Sequence, residues 1–444
     1  MHLGLGAFHK AHQAWYTDVV DEEGEWGIAA FTGRSPAAAT ALTEQGCAYT
    51  VIERGPGGDR ARLVGSIVEA HDGADMRQLR HLLASPRTAI VTITITEAGY
   101  RLTADGRPDY SDDAVQADMA ALETDERVLT TPLCRLVEGL AARRLAGAGP
   151  IAVVPCDNMP RNGSVVGEAV LELAAHWGPE VQAWIAENVS FVSTSVDRIT
   201  PRTTSGDIAQ ARELTGFEDK APVVTEPFHD WVLSGDFPAG RPAWERAGVR
   251  FVEDIEPWER RKLWLLNGSH SLLASAGQLR GYSTVYEAVS DPACRERVED
   301  FWDEAARHLP DDLDVPAYRR SLLERYDNPR IEHRLEQIGQ DGSLKLRVRV
   351  VPVVLAERAA GRSGGAGIRA VASWIALLIE QGSAPDPQRT AIDAALEQEL
   401  DDAVRSLMRL IAPALLGHPD IHTEVLRRVH EEIQLSRHMN HERS

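Results

Sequence analysis

The stretch KLWLLNGSHSLLA, residues 262–274, carries a lysine, an asparagine and a histidine inside an otherwise apolar run. At about 100° per residue, the angle of an α-helix, Lys262, Asn267 and His270 fall within about 140° of one another on one side of the helix. Burying an unpaired ammonium is costly, so such a group usually loses its proton, and a neutral amine near physiological pH is a general base. The spacing therefore predicts acid–base chemistry centred on Lys262.

A structural alternative explains the three residues separately. Lys262 would extend along the helix to water, Asn267 would cap a neighbouring element, and His270 would be a core histidine with its hydrogen bonds satisfied. Residues elsewhere in the chain distinguish the two interpretations.

A glycine pair lies at the start of the chain, in MHLGLGAFHKAHQA. It follows the first candidate strand, and a helix is predicted after it. In dinucleotide-binding folds the first glycine permits a tight turn, and the second lets the backbone approach a pyrophosphate at a helix N-terminus. The third glycine of that pattern is a histidine here, so the match is incomplete. We predict that a dinucleotide binds the segment Gly4, Leu5, Gly6, Ala7, Phe8 and His9.

The second strand of a dinucleotide fold usually ends in an acidic residue that binds the adenosine ribose. Here the strand WGIAAF (26–31) continues into TGRSPAAA without a carboxylate, and Arg34 stands there instead. An arginine at this place accommodates a 2′-phosphate, which makes NADP an alternative to NAD. The structural alternative for Arg34 is a solvated loop residue.

Polar residues follow two later strands. The segment IAVVPCDNMPRNG (151–163) places Asn158 and Asn162 just past a buried strand, and FVSTSVDRITP places Asp197 after another. Ligands of open α/β sheets bind at the carboxyl ends of strands. Each segment alone would fit an ordinary Asx turn. Together with residues 262–270 they favour a functional site.

These residues need a scaffold of buried strands and helices, and the first part of the chain supplies it. Continuous apolar runs of four to eight residues are typical of buried parallel strands. Such β-rich runs occur at residues 26–31, 49–53, 62–68, 88–95, 151–155, 191–196 and 249–254, with helical patterns at 113–123 and 164–175. We predict an α/β fold, with an open sheet and crossover helices, for a Rossmann-type domain over residues 1–255.

From residue 256 onward the pattern is mostly helical. The segment PWERRKLWLLNGSHSLLASAGQLRG predicts one helix, with Pro257 in its first turn and Gly281 beyond its end. Further helices are predicted at 291–308, 316–326, 367–382, 387–412 and 419–434, and a frayed tail from about residue 435. The second domain, residues 256–444, is therefore expected to be mostly α-helical.

Composition excludes several functional classes. The 444 residues, 43% of them hydrophobic, suffice for two or three domains with large cores. A net charge of −20 argues against nucleic acid or an anionic membrane as a partner. The four cysteines are far apart and predict reduced thiols. With no signal peptide and no apolar run of about 18 residues, we expect a cytoplasmic protein.

Other functions fit less well. The segment GSHS (268–271) lacks the GxSxG turn of serine hydrolases. A non-catalytic nucleotide-binding protein would not need the lysine, asparagine and histidine of residues 262–270 in register. Histidine pairs such as His9 and His12 have spacings that could bind a metal, but no acid or cysteine accompanies them in a fixed pattern, so we expect no metal. The oligomeric state is left open.

Five segments, in the same order, resemble the polyol-specific long-chain dehydrogenases, a family that includes mannitol 2-dehydrogenase, fructuronate reductase and arabinitol dehydrogenases. They are HLGLGAFHKAHQA, TITEAGY (94–100), CDNMPRNG, VDRITP and KLWLLNGSHSLLA. The similarity covers nearly the whole chain, and K-x4-N-x2-H is its specific signature. It implies a Rossmann-type domain, a helical C-terminal domain and metal-independent oxidation of a secondary alcohol by a nicotinamide cofactor.

The resemblance also implies a role for each residue of the signature. By position, Lys262 is the general base, Asn158 and Asn267 are the pair that stabilises the oxyanion, and His270 orients the substrate hydroxyl. Asp197 and Asn162 are expected to bind the substrate.

The cofactor and the partners follow from the same resemblance. It implies NAD, with NADP as the alternative, and a small-molecule sugar alcohol or sugar acid as the substrate. Thr96 and Glu97 are expected to contact the cofactor, and Glu97 is also a candidate for a proton path to solvent.

One segment bears on the choice of substrate. NPRIEHRLEQIGQDGSLK (328–345) resembles the fructuronate-reductase branch, H-[RK]-x-x-Q-I-x-x-D-G-S-x-K, whereas the mannitol branch has an arginine where Gln337 stands. Arg334 and Lys345 would supply positive charge for a substrate carboxylate. We expect D-mannonate and D-fructuronate as the substrate pair, with mannitol 2-dehydrogenase or another hexitol or pentitol dehydrogenase as the alternative. The continuation LKLRVR departs from the QKLPQR of the family.

Overall fold

The computed structural model describes residues 1–124 and 127–443. The chain divides into two compact units, Met1–Glu256 and Pro257–Ser444. The division lies one residue beyond the boundary expected from the sequence. The first unit is an α/β structure and the second is mostly helical, so the predicted fold class is confirmed. In the part of the chain that is described, no helix is both long and apolar enough to span a membrane.

The strands all belong to the N-terminal unit. They are β1 (His2–Leu3), β2 (Ile28–Phe31), β3 (Tyr49–Gly55), β4 (Gly58–Val64), β5 (Ile67–His71), β6 (Ile90–Ile93), β7 (Ile151–Pro155), β8 (Val189–Phe191), β9 (Ser193–Asp197), β10 (Val223–Thr225), β11 (Asp230–Ser234) and β12 (Arg250–Phe251).

Helices connect these strands. They are α1 (Ala7–Ala11), α2 (Gln13–Val20), α3 (Ala37–Glu44), α4 (Met76–Leu83), α5 (Asp113–Ala121), α6 (Pro132–Ala146), α7 (Asn162–Ala174), α8 (Pro179–Asn188) and α9 (Ser205–Thr215). Short 3₁₀ turns occupy Glu97–Tyr100, Ala175–Trp177 and Trp244–Ala247.

Six parallel strands form the main sheet, in the order β5-β2-β1-β6-β7-β8. The strands β6 and β7 are buried along their whole length, as their continuous apolar runs predict. The chain builds one half of the sheet outward from β1 and then returns to build the other half from β6. This reversal makes the crevice between the carboxyl ends of β1 and β6 the expected ligand site of the sheet.

Some predicted strands lie outside the main sheet. β3 and β4 pair as an antiparallel hairpin that turns between Gly55 and Gly58, and β10 joins β3. β9 pairs antiparallel with β11, which carries β12. The run 191–196, predicted as one strand, therefore divides at Val192 between two sheets. Tight hairpins join antiparallel neighbours, so these segments could not all have joined one parallel sheet.

The C-terminal unit begins with a long helical segment and continues as helices packed on it. The helices are α10 (Glu256–Arg261), a π-helix (Lys262–Gly268), α11 (Ser269–Leu279), α12 (Val285–Ser290), α13 (Pro292–Ala306), α14 (Val315–Tyr326), α15 (Leu335–Gly339), α16 (Gly342–Arg349), α17 (Val351–Ala359), α18 (Gly365–Gln381), α19 (Arg389–Leu396), α20 (Leu400–Ile411) and α21 (Pro419–Arg443).

Two sequence predictions about these helices were wrong. The segment 387–412 was predicted as one helix but forms α19 and α20, because Glu399 takes an extended conformation between them. The tail from about residue 435 was predicted to fray, but α21 continues to Arg443. Ser436 is buried there, and Arg437 forms an ion pair with Glu380 of α18 at 2.8 Å, so tertiary contacts hold the tail.

The helix predicted from Pro257 is continuous, but it is not a single α-helix. Residues Lys262–Gly268 form a π-helix, in which each backbone hydrogen bond spans one residue more than in an α-helix. The angle of about 100° per residue therefore does not describe this segment. The helix α11 that follows is buried at every position except Gln278, as expected for an interior helix.

Candidate functional site

The glycine loop follows β1 as the sequence predicted. The amide groups of Gly4 and Leu5 both donate to the carbonyl of Phe31, at 2.9 and 2.8 Å. Gly4 has a φ of +105°, and a Cβ at this position would lie 2.1 Å from the carbonyl oxygen of Thr94. Only glycine therefore fits between β1 and β6.

The second glycine meets different surroundings. A Cβ on Gly6 would meet only the carbonyl oxygen of Gly4, at 3.6 Å, so the backbone on this side is open. Gly6 is the N-cap of α1, and no side chain caps the helix there. Open backbone at the start of a helix suits the close approach of a pyrophosphate.

The six residues predicted to bind the cofactor are not equally accessible. His9 is completely buried, and its ring stacks on that of His2 with 3.3 Å between centroids. Burial lowers the pKa of His9 well below its usual value, so the ring is neutral. The His9 side chain is therefore not exposed, and a contact between this residue and the cofactor stays a prediction. Leu5 is also buried, whereas Ala7 and Phe8 are partly exposed.

The other predicted cofactor contacts lie at the same edge of the sheet. Arg34 is exposed after β2, and Thr96 and Glu97 are exposed at the 3₁₀ turn after β6. Asn158 is exposed after β7. The strands β2, β1, β6 and β7 are consecutive neighbours and parallel, so these four residues follow carboxyl ends on either side of the glycine loop. This edge agrees with the position expected for a ligand.

Asn158 is held in place through the residue before it. One carboxylate oxygen of Asp157 accepts a 2.5 Å hydrogen bond from the hydroxyl of Tyr100, and the other accepts from the backbone amide of Met159 at 2.9 Å. Burial is the main cause that raises the pKa of Tyr100 well above its usual value, so the phenol keeps the proton that it donates. The sequence did not identify Tyr100, although it closes the segment TITEAGY.

Asn162 was predicted to bind the substrate, and in the structure its side chain forms hydrogen bonds within the protein. The residue is completely buried. Its amide nitrogen donates to the carbonyls of Pro155 and Thr194, both at 3.2 Å, and its amide oxygen accepts from the backbone of Thr194 at 2.8 Å. Both polar atoms are used to tie the end of β7 to β9. A buried amide satisfied in this way stabilises the fold, and the binding role of Asn162 stays a prediction.

Asp197, another predicted substrate contact, is the last residue of β9 and is largely buried. It faces Asp230 across the antiparallel pair rather than ending a strand of the parallel sheet. The next residue, Arg198, is buried and forms an ion pair with Glu53 at 2.6 Å. The binding role of Asp197 stays a prediction.

The second group of predicted residues lies in the C-terminal unit. Lys262 and Asn267 are half-buried in the π-helix, and His270 is buried in the first turn of α11. The ring of His270 lies 4.7 Å from that of His333 and 5.2 Å from that of Tyr326, measured between centroids. Among the residues that the structure describes, none forms a hydrogen bond with Nε2 of His270.

The protonation state of His270 follows from its surroundings. Burial is the largest cause that lowers its pKa well below the usual value, and His333 and the cations Arg325, Arg349 and Lys345 lower it further. The imidazole is therefore neutral near pH 7, with one nitrogen able to donate and the other able to accept. A neutral imidazole can form a hydrogen bond with an alcohol in either direction.

The two residues predicted to bind a carboxylate differ in position. Lys345 is half-buried near His270, and its Nζ donates to the carbonyl of Ile338 at 3.0 Å. The side chain of Arg334 is 60% exposed and pairs with Glu332 at 3.0 Å. An exposed pair of this kind contributes little to stability or binding. Of the two, Lys345 is among the cations that lower the pKa of His270.

Sequence reasoning missed several residues around His270, namely Arg325, Tyr326, His333 and Arg349. Two of them had a signal. His333 is the first residue of the motif H-[RK]-x-x-Q-I-x-x-D-G-S-x-K that was compared with the fructuronate-reductase branch, and Arg349 lies four residues after Lys345, on the same face of a helix. Arg325 and Tyr326 end a predicted helix, and nothing in the local pattern distinguishes them.

The two glycines of the loop give a first testable prediction. We expect Gly4→Ala to lower the free energy of unfolding by at least about 1–3 kcal/mol, the cost of a strained backbone, because the new Cβ also collides with the carbonyl of Thr94. Gly6→Ala is the matched control and should change stability little. Thermal unfolding of the full chain measures both. Equal unfolding temperatures for the two variants would contradict the assigned role of Gly4.

Comparison with known protein families gives a match in each unit. Residues 1–246 match the mannitol dehydrogenase Rossmann domain, and residues 254–425 match the mannitol dehydrogenase C-terminal domain. D-mannonate oxidoreductase from Escherichia coli (strain K12) is 37% identical over 400 residues, which cover 87% of this chain and 82% of that protein. Mannitol 2-dehydrogenase from Pyrenophora tritici-repentis is 38% identical over 379 residues, covering 81% and 66%.

Solved structures give the same result. The ternary complex of Pseudomonas fluorescens mannitol 2-dehydrogenase with NAD and D-mannitol is 32% identical, with a TM-score of 0.80 over 99% of this chain and 93% of that one. The family matches together span more than half of the chain, and the relatives align over most of it. The chain therefore belongs to the mannitol dehydrogenase family of oxidoreductases.

Proposed function

We propose that this protein is an NAD-dependent dehydrogenase that interconverts D-mannonate and D-fructuronate. The observation that supports this choice of substrate is a group of three cations around His270. Arg325, Lys345 and Arg349 each lower the pKa of His270 through their positive charge. The chain as a whole carries a net charge of −20, so an anionic substrate needs a local positive site. A carboxylate held by a charge-assisted hydrogen bond would meet that need.

The glycine loop supports a dinucleotide as the cofactor. Gly4 closes the turn against Thr94, and Gly6 leaves the backbone open at the start of α1. When bound, the nicotinamide supplies the acceptor for the hydride that leaves the carbinol carbon. The loop and the neighbouring strand ends of β2 and β6 would hold it.

The C-terminal unit supplies the acid–base groups of the proposed reaction. Lys262 takes the proton of the substrate hydroxyl during oxidation and returns it during reduction. The neutral imidazole of His270 forms a hydrogen bond with the same hydroxyl and orients it. The amide of Asn267 donates to the oxygen as it gains charge, and Asn158 has the same proposed role. In comparable sites one such donor contributes ~2.7–4 kcal/mol.

The proposed chemistry uses a lysine and carboxamides where other dehydrogenases use a metal. In residues 1–124 and 127–443, no group of three or more His, Cys, Asp or Glu side chains could hold a metal ion. The four cysteines are buried and unpaired. We include a cytoplasmic location in the proposal because reduced thiols are typical of that compartment.

The position of Arg34 gives a prediction about cofactor preference. The residue is exposed after β2, where the segment has no carboxylate to exclude a 2′-phosphate. We expect NADP to be accepted and Arg34→Ala to lower kcat/KM for NADP by about 10-fold or more, the loss of one charge-assisted contact, with little effect on NAD. Steady-state kinetics with both cofactors measure this. A thousandfold preference of the unmodified protein for NAD would exclude a contact between Arg34 and the 2′ position.

Mannitol is the second candidate substrate. The identity to a mannitol 2-dehydrogenase, 38%, is as high as that to D-mannonate oxidoreductase, 37%. The proposal is tested by offering mannonate, mannitol, arabinitol and altronate with NAD and with NADP, and by following the absorbance of the reduced nicotinamide. We expect mannonate to give the highest kcat/KM. A higher value for mannitol would replace the proposed substrate by the second candidate.

A further inference from the structure

The π-helix is held by side chains that come from outside it. Three carbonyls in its C-terminal half, those of Leu265, Leu266 and Asn267, each accept hydrogen bonds from side chains. A π-helix is rare and usually a single turn, and it frequently occurs at functional sites. The side chains that donate to these carbonyls therefore help to explain why the segment is a π-helix.

The first two carbonyls share the hydroxyl of Ser269. Its Oγ lies 2.5 Å from the carbonyl oxygen of Leu265 and 3.0 Å from that of Leu266. The indole nitrogen of Trp302 also donates to Leu265, at 2.8 Å. The hydroxyl of Tyr326 lies 2.7 Å from Oγ of Ser269 and 3.4 Å from the carbonyl of Leu266. Because all three side chains are buried, water does not replace a lost donor without cost.

The third carbonyl has donors of its own. The guanidinium of Arg349 donates to the carbonyl of Asn267 at 3.3 Å, and the hydroxyl of Ser271 donates at 3.2 Å. Trp302, Tyr326 and Arg349 lie on α13, α14 and α16, so three separate helices of the same unit contact one turn. At Gly268 a Cβ would lie 2.6 Å from the ring of Phe301, which places α13 directly against the backbone.

The spacing of Lys262 and Asn267 connects the π-helix with the proposed chemistry. In an α-helix, side chains five positions apart are separated by about 140° around the axis. In a π-helix, hydrogen bonds join residues five apart, so their side chains lie on nearly the same face. The interval K-x4-N therefore brings the two side chains closer together on a π-helix than the arc of about 140° expected for an α-helix.

We propose that Ser269, Tyr326 and Trp302 are positioning residues that hold residues 262–268 as a π-helix and so place Lys262 and Asn267 on one face. None of the three needs to contact the substrate. The inference rests on the proposed function, because it takes Lys262 as the base and Asn267 as a donor to the substrate oxygen.

The test removes the hydroxyl of one serine and compares the effect with that of removing a serine hydroxyl from a regular helix. Ser269→Ala deletes the shared donor of the π-helix. Ser373→Ala is the control, since Ser373 is equally buried and its Oγ donates to the carbonyl of Arg369, four residues earlier, at 3.0 Å in the regular helix α18. We expect Ser269→Ala to lower kcat by about 10- to 100-fold, the effect of misplacing a reacting group by about 1 Å, with KM for NAD unchanged. Ser373→Ala should keep the activity of the unmodified protein.

Two further measurements separate positioning from general loss of stability. The acid limb of the pH profile of kcat/KM should shift in Ser269→Ala, because the surroundings of the base change, and it should not shift in Ser373→Ala. A crystal structure of Ser269→Ala should show residues 262–268 as an α-helix. If that variant does not fold, Tyr326→Phe, which keeps the ring and removes the hydroxyl, takes its place.

The outcomes distinguish the inference from the proposed function. An unmodified protein that oxidises none of the four sugar substrates overturns the proposed function, while the crystal structure of the variant still tests whether Ser269 holds the π-helix. A variant that keeps both the π-helix and its kcat, or that loses no more activity than Ser373→Ala, overturns the inference.

Discussion

Lys262→Ala should remove turnover while leaving NAD binding nearly intact. A positioned general base contributes about 10²–10⁴-fold to rate, and we expect kcat/KM to fall by at least this factor. The lysine lies in the C-terminal unit, on the π-helix, whereas the glycine loop lies in the N-terminal unit, so the cofactor should still bind. Steady-state kinetics and equilibrium dialysis with NAD measure the two effects separately.

The control for this variant is Lys220→Ala. Lys220 is exposed and forms an ion pair with Glu44 at 2.8 Å, so removing it should leave kcat/KM unchanged. Added primary amines should restore part of the activity of Lys262→Ala. If Lys262→Ala retains most of its kcat/KM, Lys262 is not the base.

Lys345→Met should impair the oxidation of a sugar acid far more than that of a neutral polyol. Losing one charge-assisted hydrogen bond worth ~1.5–3 kcal/mol should raise KM for mannonate by about 10- to 100-fold. The remote ionic contact places the reacting hydroxyl without touching the reacting carbon. Mannitol has no carboxylate, so its KM should change much less. Kinetics with the two substrates give the ratio directly.

Arg334→Met is the matched control, although the sequence predicted the two cations as a pair. Arg334 is exposed and forms an ion pair with Glu332. Its removal should therefore change the KM for mannonate and the KM for mannitol by no more than about twofold each. Equal losses for mannonate and mannitol in Lys345→Met would remove the argument for a substrate carboxylate.

Local sequence patterns predicted the parts of the site that depend on local structure. Gly4 and Gly6 follow a strand and precede a helix, and both signals lie within a dozen residues. The buried strands that carry Asn158 and Thr96 are apolar runs whose length indicates a parallel sheet. These features were predicted because the backbone conformation needed at each position restricts the residue type there.

The features that the sequence did not predict are contacts between side chains and other segments. Asn162 follows a strand end as a ligand-binding residue would, but its amide binds the backbone of Thr194, 32 residues later. His9 occupies the place of a glycine and stacks on His2 of β1, a pair that is close in sequence but that no spacing rule indicates. The π-helix depends on Trp302 and Tyr326, 37 and 57 residues from the groups that they contact. A window of one or two helical turns does not include the partners of Asn162 and of the π-helix.

The π-helix limits how far the segment that we propose to be catalytic could be moved to another protein. A designer who grafted residues 262–270 onto an ordinary helix would separate the lysine and the asparagine by about 140°, because the new scaffold would lack the external donors. Moving the asparagine one position closer, to an interval of four residues, would restore a shared face on such a helix. The five-residue interval therefore places the two side chains on one face only when the buried hydroxyl and indole groups keep the segment in the π form. A transfer to another protein would have to include the surrounding helices as well.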